Sequence, residues 1–243
     1  MRLGLIHSPT PEAVAPLDAR MRLGAVPVAD AVDWHARCPA DGDPLGNDQN
    51  PNCVEAAFLR NLQMRMANSM HSAWKPTKDQ ALRLLARWGG SDGTDVNTAM
   101  ADYCRSGLKP DGIQIEDVPL WATVQLGDIP NLKKAIATFC GVQLSFALPR
   151  AIETANEWPA PPGPLTGIWL PGGYGYHQGM TGKYRGNTFW VRTWGIDVPM
   201  DEAFLRAYCV AINVIVSRTW LDARGISPPG LDWDALRADL DSL

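Results

Sequence analysis

The chain has 243 residues, a formal net charge of −4, an apolar share of 46% and a charged share of 20%. This length is enough for one large domain or two small ones, and the composition is ordinary for a globular protein with a buried core. The acidic balance provides no basic field for a nucleic acid, and no apolar run reaches transmembrane length. Composition therefore excludes nucleic acid and the membrane as expected partners.

Cysteine and histidine spacing argues against a metal or redox centre. No two of the five cysteines form a CxxC pair, and the four histidines are scattered along the chain. Zinc and redox sites usually contain such clusters, so we expect no metal and no cofactor. The N-terminus lacks the apolar core of a signal peptide, so we expect a protein made in the cytoplasm, where thiols stay mostly reduced.

The N-terminal residues 1–27 contain four prolines and predict an extended arm, with a short helical turn near residues 13–21. A second proline- and glycine-rich stretch at residues 39–46 predicts a loop.

A helix is predicted to begin at Cys53, directly after the turn-rich polar run of residues 47–52. Apolar residues then recur at three- and four-residue steps to about Ser69, and Asn52 is a suitable N-cap. In the first turn of a helix, free N–H groups and the helix dipole stabilise a thiolate, so Cys53 is a candidate nucleophile. The alternative is a buried free cysteine that packs as a small apolar residue.

Two further helices are predicted in the first half of the chain. One covers residues 77–88 with Thr77 as its N-cap, and a glycine-rich turn follows it. The other covers residues 95–106 with Thr94 as its N-cap and Gly107 at its end.

The second half of the chain is predicted to contain mostly strands. After a short helix at residues 131–139, alternating patterns predict strands at residues 142–148, 177–184 and 188–194. Residues 204–216 fit one strand, a pair of strands, or a helix over part of that range. The long proline- and glycine-rich loop at residues 149–175 is of a kind that is often functional.

The C-terminal stretch contains a Pro-Pro-Gly break and a short acidic amphipathic helix capped by Asp232. This helix either docks on the domain or binds a partner. The domain boundaries we predict are an arm at residues 1–27, a domain at residues 28–222, and a linker with the acidic helix at residues 223–243. Helices first and strands second indicate an α+β fold, in which a helical half packs on an antiparallel half with the site between them.

With Cys53 and His177 placed, the chain resembles the papain-like cysteine peptidases over roughly residues 28–216. The order and spacing of the matches are the stronger signal, because Cys53 and His177 are 124 residues apart, near the ~130 residues expected. The matching stretches are Val32-Asp33-Trp34, Asp48-Gln49 before Cys53, Gly90 to Thr94 with Ala99, Tyr103 and Gly107, Leu132 to Phe146, Gly175-Tyr176-His177 with Tyr184, and Phe189 to Gly195.

The resemblance implies a papain-like fold and roles for individual residues. Cys53 is the nucleophile, His177 takes its proton, and the Gln49 side chain helps the Cys53 backbone N–H to hold the oxyanion. The substrate cleft would be lined by Gly90, Asp92, Gly93 and Trp194.

The chain departs from the family in three ways. Gln49 lies only four residues before Cys53, a shorter interval than in the family. Arg192 and Thr193 stand where the histidine-orienting asparagine is expected; an arginine cannot accept a hydrogen bond from the imidazole, whereas the Thr193 hydroxyl can. The predicted strand that carries His177 is also more polar and richer in glycine than usual.

The function these residues predict is that of a thiol hydrolase, most specifically a cysteine peptidase acting on a peptide or protein without a cofactor. Glu55, two residues after the thiol, is expected to face solvent, since a carboxylate facing the cleft would raise the thiol pKa.

The alternative is a weakened or inactive papain-like domain that serves as a structural or binding subunit of a larger assembly. The N-terminal arm and the C-terminal helix would then attach it to its partners. One point favours this alternative: the arm is too short to resemble the family's inhibitory propeptide.

Overall fold

The computed structural model describes residues 3–9, 11, 14, 16–17, 27–69, 72–111, 115–116 and 119–220. The predicted helical turn near residues 13–21 lies largely outside the described residues, and the C-terminal acidic helix lies entirely outside them.

The helical half is organised around one long helix that starts at Cys53, as predicted. This helix is buried on nearly all sides because two shorter helices pack on one side of it and the sheet packs on the other. The described α-helices are α1 (Cys53–Ser69), α2 (Lys78–Trp88), α3 (Val96–Ser106), α4 (Ile129–Phe139) and α5 (Glu202–Tyr208).

The helix caps follow the sequence prediction at α2 but not at α1 and α3. Thr77 caps α2 in a reciprocal capping box with Gln80. At α3 the predicted cap, Thr94, is wrong by one residue, because the Asp95 side chain accepts the hydrogen bond from the helix N–H. The Asn52 Oδ1 accepts no hydrogen bond from α1 within the described residues, and its Nδ2 donates instead to the Leu45 carbonyl at 2.9 Å, since the preceding turn folds against it.

The sheet half is a seven-stranded antiparallel sheet in the order β4-β9-β5-β6-β7-β8, with β2 paired to the far end of β6. A separate parallel pair joins β1 to β3. Together with the helices, this sheet confirms the predicted α+β fold. The strands are β1 (Leu5–Ile6), β2 (Ala31–Asp33), β3 (Thr94–Asp95), β4 (Leu120–Thr123), β5 (Val142–Leu148), β6 (Gly175–Arg185), β7 (Thr188–Thr193), β8 (Ile196–Asp201) and β9 (Cys209–Val216).

Two parts of the sheet half add to the sequence prediction. Strand β8 was not predicted; it contains Pro199, and it lies at the sheet edge, where a missing N–H is tolerated. The range left open at residues 204–216 divides between helix α5 and strand β9.

The two halves have separate apolar cores. One core lies between α1, α2 and α3, and the larger one lies between the sheet, α4 and α5. A small cavity lies between the halves, with walls from the loop at residues 43–47, the first turns of α1, strands β6 and β7, and the turn after β7. Among the described residues, no helix combines the length and apolar character needed to cross a membrane.

Candidate active site

Cys53 is the first residue of α1, and 1% of its surface is exposed. Burial, and to a smaller extent the Glu55 carboxyl group, raise the pKa of this thiol to about 12. The backbone N–H groups of Gln178, Gly4 and Val54 act in the opposite direction, because they favour the anionic sulfur. While it is buried in this way, the thiol is protonated at neutral pH.

His177 lies in β6 and is fully buried. Its Nε2 is 2.5 Å from the Thr193 hydroxyl, and its ring stacks on Trp194 with centroids 4.3 Å apart. Its Nδ1 has no hydrogen-bond partner in the described part of the chain. Burial lowers the pKa of His177 to about 3, so the ring is neutral. One ring nitrogen is therefore anchored and the other is available.

The structure brings the predicted site residues together from both halves. Cys53, Thr193 and Trp194 line the same cavity, and His177 contacts the last two. The residue after His177 directs its backbone N–H to the Cys53 sulfur, which places β6 against the start of α1. Within the described residues, no hydrogen bond connects the Cys53 sulfur to Nδ1 of His177.

The structure places Gln49 outside the cavity. Its side chain is exposed and contacts Asp48 at 3.2 Å and the Lys78 amine at 3.3 Å. Asn47 lines the cavity instead, and it is 1% exposed. Its Oδ1 has no hydrogen-bond partner among the described residues, so this amide retains bonding capacity. A signal for Asn47 was present in the sequence. The short interval between Gln49 and Cys53 indicated that an amide further upstream takes this position.

The predicted cleft residues differ in where they lie. Gly90 and Asp92 are exposed on the turn after α2, whereas Gly93 is buried. Gly93 faces Gly4, since a Cβ on Gly93 would come within 2.0 Å of the Gly4 carbonyl oxygen. Part of the N-terminal arm thus packs against Gly93, a contact that the sequence did not predict.

Glu55 is a correction to the sequence analysis: it is fully buried and does not face solvent. The Thr94 hydroxyl donates a hydrogen bond to Oε1 at 2.5 Å, and Oε2 has no partner in the described residues. Burial raises the pKa of Glu55 to about 7, against the smaller opposite effect of the Thr94 bond. The helical half therefore has an uncompensated carboxyl group beside the thiol.

Arg192 does not occupy the position of a histidine-orienting residue. Its guanidinium forms a two-point ion pair with Asp197, at 2.8 and 2.9 Å, across the β7–β8 hairpin. The same carboxylate also contacts His35, whose Nδ1 lies 3.1 Å from the Asp197 Oδ2. Although burial acts to raise it, the contacts with His35 and Arg192 hold the pKa of Asp197 well below its usual range. This network fixes the hairpin that presents Thr193.

In the described ranges, no group of three or more His, Cys, Asp or Glu side chains is arranged to hold a metal ion. The five cysteines are all free thiols. Cys38 is buried against Arg192, with the sulfur 3.5 Å from the guanidinium.

This architecture is the papain-like fold, with the site between a helical half and an antiparallel half. Xylellain, a cysteine protease from Xylella fastidiosa, has a TM-score of 0.63, is 15% identical, and covers 88% of this chain and 96% of its own. Procathepsin L 3 from the larval midgut of Tenebrio molitor has a TM-score of 0.57 at 11% identity, and the match covers 84% of this chain and 75% of that protein. The Carica candamarcensis cysteine protease CMS1MS2 has a TM-score of 0.56 at 10% identity, and the match covers 79% of this chain and 99% of that protein.

No family model and no curated protein sequence matches the chain. At these identities the likeness to solved structures establishes the fold, and at that level it confirms the resemblance predicted from the sequence.

Proposed function

We propose that this protein is a thiol hydrolase, specifically a cysteine peptidase, with Cys53 as nucleophile and His177 as general base. The observation that carries the proposal is the state of the His177 ring. Thr193 and Trp194 hold it in place, Nδ1 has no partner among the described residues, and the next residue on its strand contacts the Cys53 sulfur. A structural histidine would have both ring nitrogens satisfied.

The first half of the reaction forms an acyl-enzyme. His177 takes the Cys53 proton on Nδ1, and the thiolate attacks the carbonyl carbon of an amide. The tetrahedral intermediate collapses when His177 returns that proton to the amine that leaves, and a thioester remains on Cys53. Water, deprotonated by His177, then hydrolyses the thioester and regenerates the thiol.

Stabilisation of the oxyanion requires two donors aimed at the same point. The Cys53 backbone N–H at the start of α1 is one. We propose the Asn47 amide as the second, in place of Gln49, because Asn47 lines the cavity whereas Gln49 contacts Lys78 at the surface. The two ends of an amide side chain interchange by rotation, so Asn47 can present its NH₂ group.

The substrate class we propose is a peptide or protein in extended form. The structural neighbours are cysteine proteases, which supports this class. The free thiols suit a reducing compartment such as the cytoplasm.

The test is cleavage of a peptide library by the full chain, with Cys53→Ala as the variant and Cys104→Ala as the matched control. Cys104 lies in α3, away from the cavity. Each is assayed both alone and combined with Gly4→Val. A Cβ on Gly4 would lie 2.0 Å from the Pro51 carbonyl oxygen, so we expect this change to move the arm off the sulfur. We expect Cys53→Ala to lower cleavage at least ~1000-fold and Cys104→Ala to leave it unchanged.

Cleavage that survives Cys53→Ala would contradict the proposal. So would a complete lack of cleavage in the Gly4→Val chain once alkylation shows that its Cys53 thiol is accessible. That second result would favour the structural or binding subunit, attached through the N-terminal arm or the C-terminal helix.

A further inference from the structure

Three buried polar side chains lie between the sheet half and α1, and we call them the polar bridge: Gln143 and Ser145 in β5, and Gln178 in β6. None of them is more than 1% exposed. Gln143 and Ser145 are two residues apart, so their side chains lie on the same face of β5. Ser145 is directly opposite Gln178 in the strand register. This face of the sheet is therefore polar, whereas Leu144 and Phe146 on the other face of β5 belong to the apolar core.

The polar bridge is a continuous chain of hydrogen bonds that ends on the helix of Cys53. The Ser145 hydroxyl donates to the Gln178 Oε1 at 2.6 Å, and the Gln178 amide donates to the Gln143 Oε1 at 3.2 Å. The Gln143 amide in turn donates to the Ala57 carbonyl at 3.1 Å. Ala57 is about one turn after Cys53 in α1, so the chain ties the sheet to the start of this helix.

The polar bridge is also fully paired. In the part of the chain that the structure describes, no side-chain nitrogen or oxygen of its three members is buried without a hydrogen-bond partner. Burial of an amide or a hydroxyl is costly unless it is hydrogen-bonded, so these side chains disfavour any arrangement that breaks the chain of bonds. Because hydrogen bonds are directional, such a network specifies one position of the strands on the helix.

Gln178 connects the polar bridge to the candidate active site. It follows His177 in β6, and its backbone N–H points to the Cys53 sulfur. Gln178 and Cys53 also line the same cavity. A displacement of Gln178 would therefore move both His177 and the N–H group that contacts the thiol.

The two halves of the molecule need contacts of this kind to hold a dyad together. Cys53 begins α1 in the helical half, His177 lies in the sheet half, and each half has its own apolar core. The distance between the two groups therefore depends on contacts that cross from one half to the other. The polar bridge is such a contact, since it runs from the strand of His177 to the helix of Cys53.

We propose that Gln143 is a positioning residue: with Ser145 it fixes Gln178, and it thereby holds the strand of His177 in place against the start of α1. The consequence for catalysis rests on the peptidase function proposed above, whereas the position of the Gln178 N–H on the thiol does not depend on it. Gln143 acts through Gln178 and does not itself take part in the reaction.

The first test compares Gln143→Met, which keeps an unbranched side chain but loses both bonds, with Asn68→Leu as the matched control. Asn68 is a buried amide of α1 that donates to the Trp34 and Met64 carbonyls at 2.8 and 2.9 Å, and it lies about 22 Å along the helix from Cys53. The measurement is hydrogen exchange of the Gln178 N–H relative to the other amides of β6, which cancels changes in global stability. We expect this ratio to rise at least about tenfold in Gln143→Met and to stay within about twofold in Asn68→Leu.

The second readout is kcat and KM for peptide cleavage, in the wild-type and Gly4→Val chains. A misplacement of about 1 Å can lower a rate by about 100-fold, so we expect Gln143→Met to lower kcat by about 10- to 100-fold and to leave KM within about twofold. Asn68→Leu should leave both constants unchanged. A mere loss of folded protein would instead lower the apparent kcat of both variants.

Ser145→Ala keeps the test decisive if Gln143→Met does not fold, as judged by circular dichroism. This change removes only the hydroxyl that donates to Gln178. We expect exchange of the Gln178 N–H to be about threefold faster, as the loss of one hydrogen bond implies.

Faster exchange together with a lower kcat supports the proposal. Relative exchange of the Gln178 N–H within twofold of the wild type, in every variant that folds, would overturn it. Faster exchange with an unchanged kcat would overturn the catalytic consequence. Faster exchange in a protein that cleaves no peptide in either chain would keep the polar bridge and reject the peptidase.

Discussion

The two halves of the molecule hold their carboxyl groups in opposite states beside the candidate dyad of Cys53 and His177. In the sheet half, Asp197 is paired with Arg192 and its pKa is lowered. In the helical half, Glu55 accepts a hydrogen bond from one hydroxyl, its Oε2 has no partner in the part of the chain that the structure describes, and burial raises its pKa to about 7. The same kind of group is therefore ionised on one side of the site and partly protonated on the other.

This difference shows how each half positions its catalytic group. His177 is oriented by side chains, since Thr193 binds its Nε2 and Trp194 covers its ring. Cys53 is surrounded by backbone N–H groups at the start of a helix. Side-chain substitutions in the sheet half should therefore act on histidine orientation, whereas in the helical half they should act on charge and oxyanion binding.

The largest effect is expected in the helical half, from Asn47→Ala. Loss of one oxyanion donor typically lowers kcat by about 100- to 1000-fold. Asn47 lines the cavity, and its Oδ1 has no hydrogen-bond partner within the described ranges. The measurement is kcat for peptide hydrolysis in the Gly4→Val chain, with Gln49→Ala as the control. An equal loss in both variants would show that Asn47 is not the donor.

The next effect concerns Glu55 and is read as stability. Its folded pKa of about 7 exceeds the ordinary 4.5, so its stabilising contribution is complete below pH 4.5 and is lost as the pH rises through 7. Glu55→Gln removes this dependence. We expect its free energy of unfolding to gain about 3 kcal/mol relative to wild type between pH 4 and pH 8.

Denaturant unfolding at both pH values measures the effect, with the exposed Glu157→Gln as the control for lost charge. The difference between variant and wild type cancels other titrating groups, including His177. A Glu55→Gln difference that does not change with pH would mean that the carboxyl group is ionised at neutral pH in the folded protein.

The smallest effect is expected in the sheet half, from Thr193→Val. The hydroxyl that contacts Nε2 is lost while the shape is kept, so the imidazole loses a fixed orientation. Activity should fall by about 10- to 100-fold, less than for removal of the base itself. Thr193→Ser, which keeps the hydroxyl, should recover most of the rate, and equal loss in both variants would count against an orienting role.

The sequence predicted the parts of the fold whose signals are local. Helix α1 has an apolar repeat and a polar turn before it, and α2 has a cap and a capping partner three residues apart. Strand β8 lacks such a signal because Pro199 interrupts it, and it exists only through pairing with β7.

The candidate site was predictable where residue chemistry is enough, and not where packing decides. Cys53 and His177 followed from residue type, order and spacing. Glu55 was expected in solvent because a first-turn carboxylate usually is, but it is buried and accepts a hydrogen bond from Thr94 in β3. Asn47 and Gln49 are both amides in one turn, so only the path of the backbone determines which of them faces the cavity.

Gly4 belongs to the same chain as the Cys53 sulfur that its N–H contacts, so this contact forms within one molecule. Dilution leaves it unchanged, whereas a contact with a second molecule would be lost. Joined segments meet at effective concentrations on the order of millimolar. A free peptide that copies residues 3–9 would therefore compete with the tethered residues only at concentrations of that order.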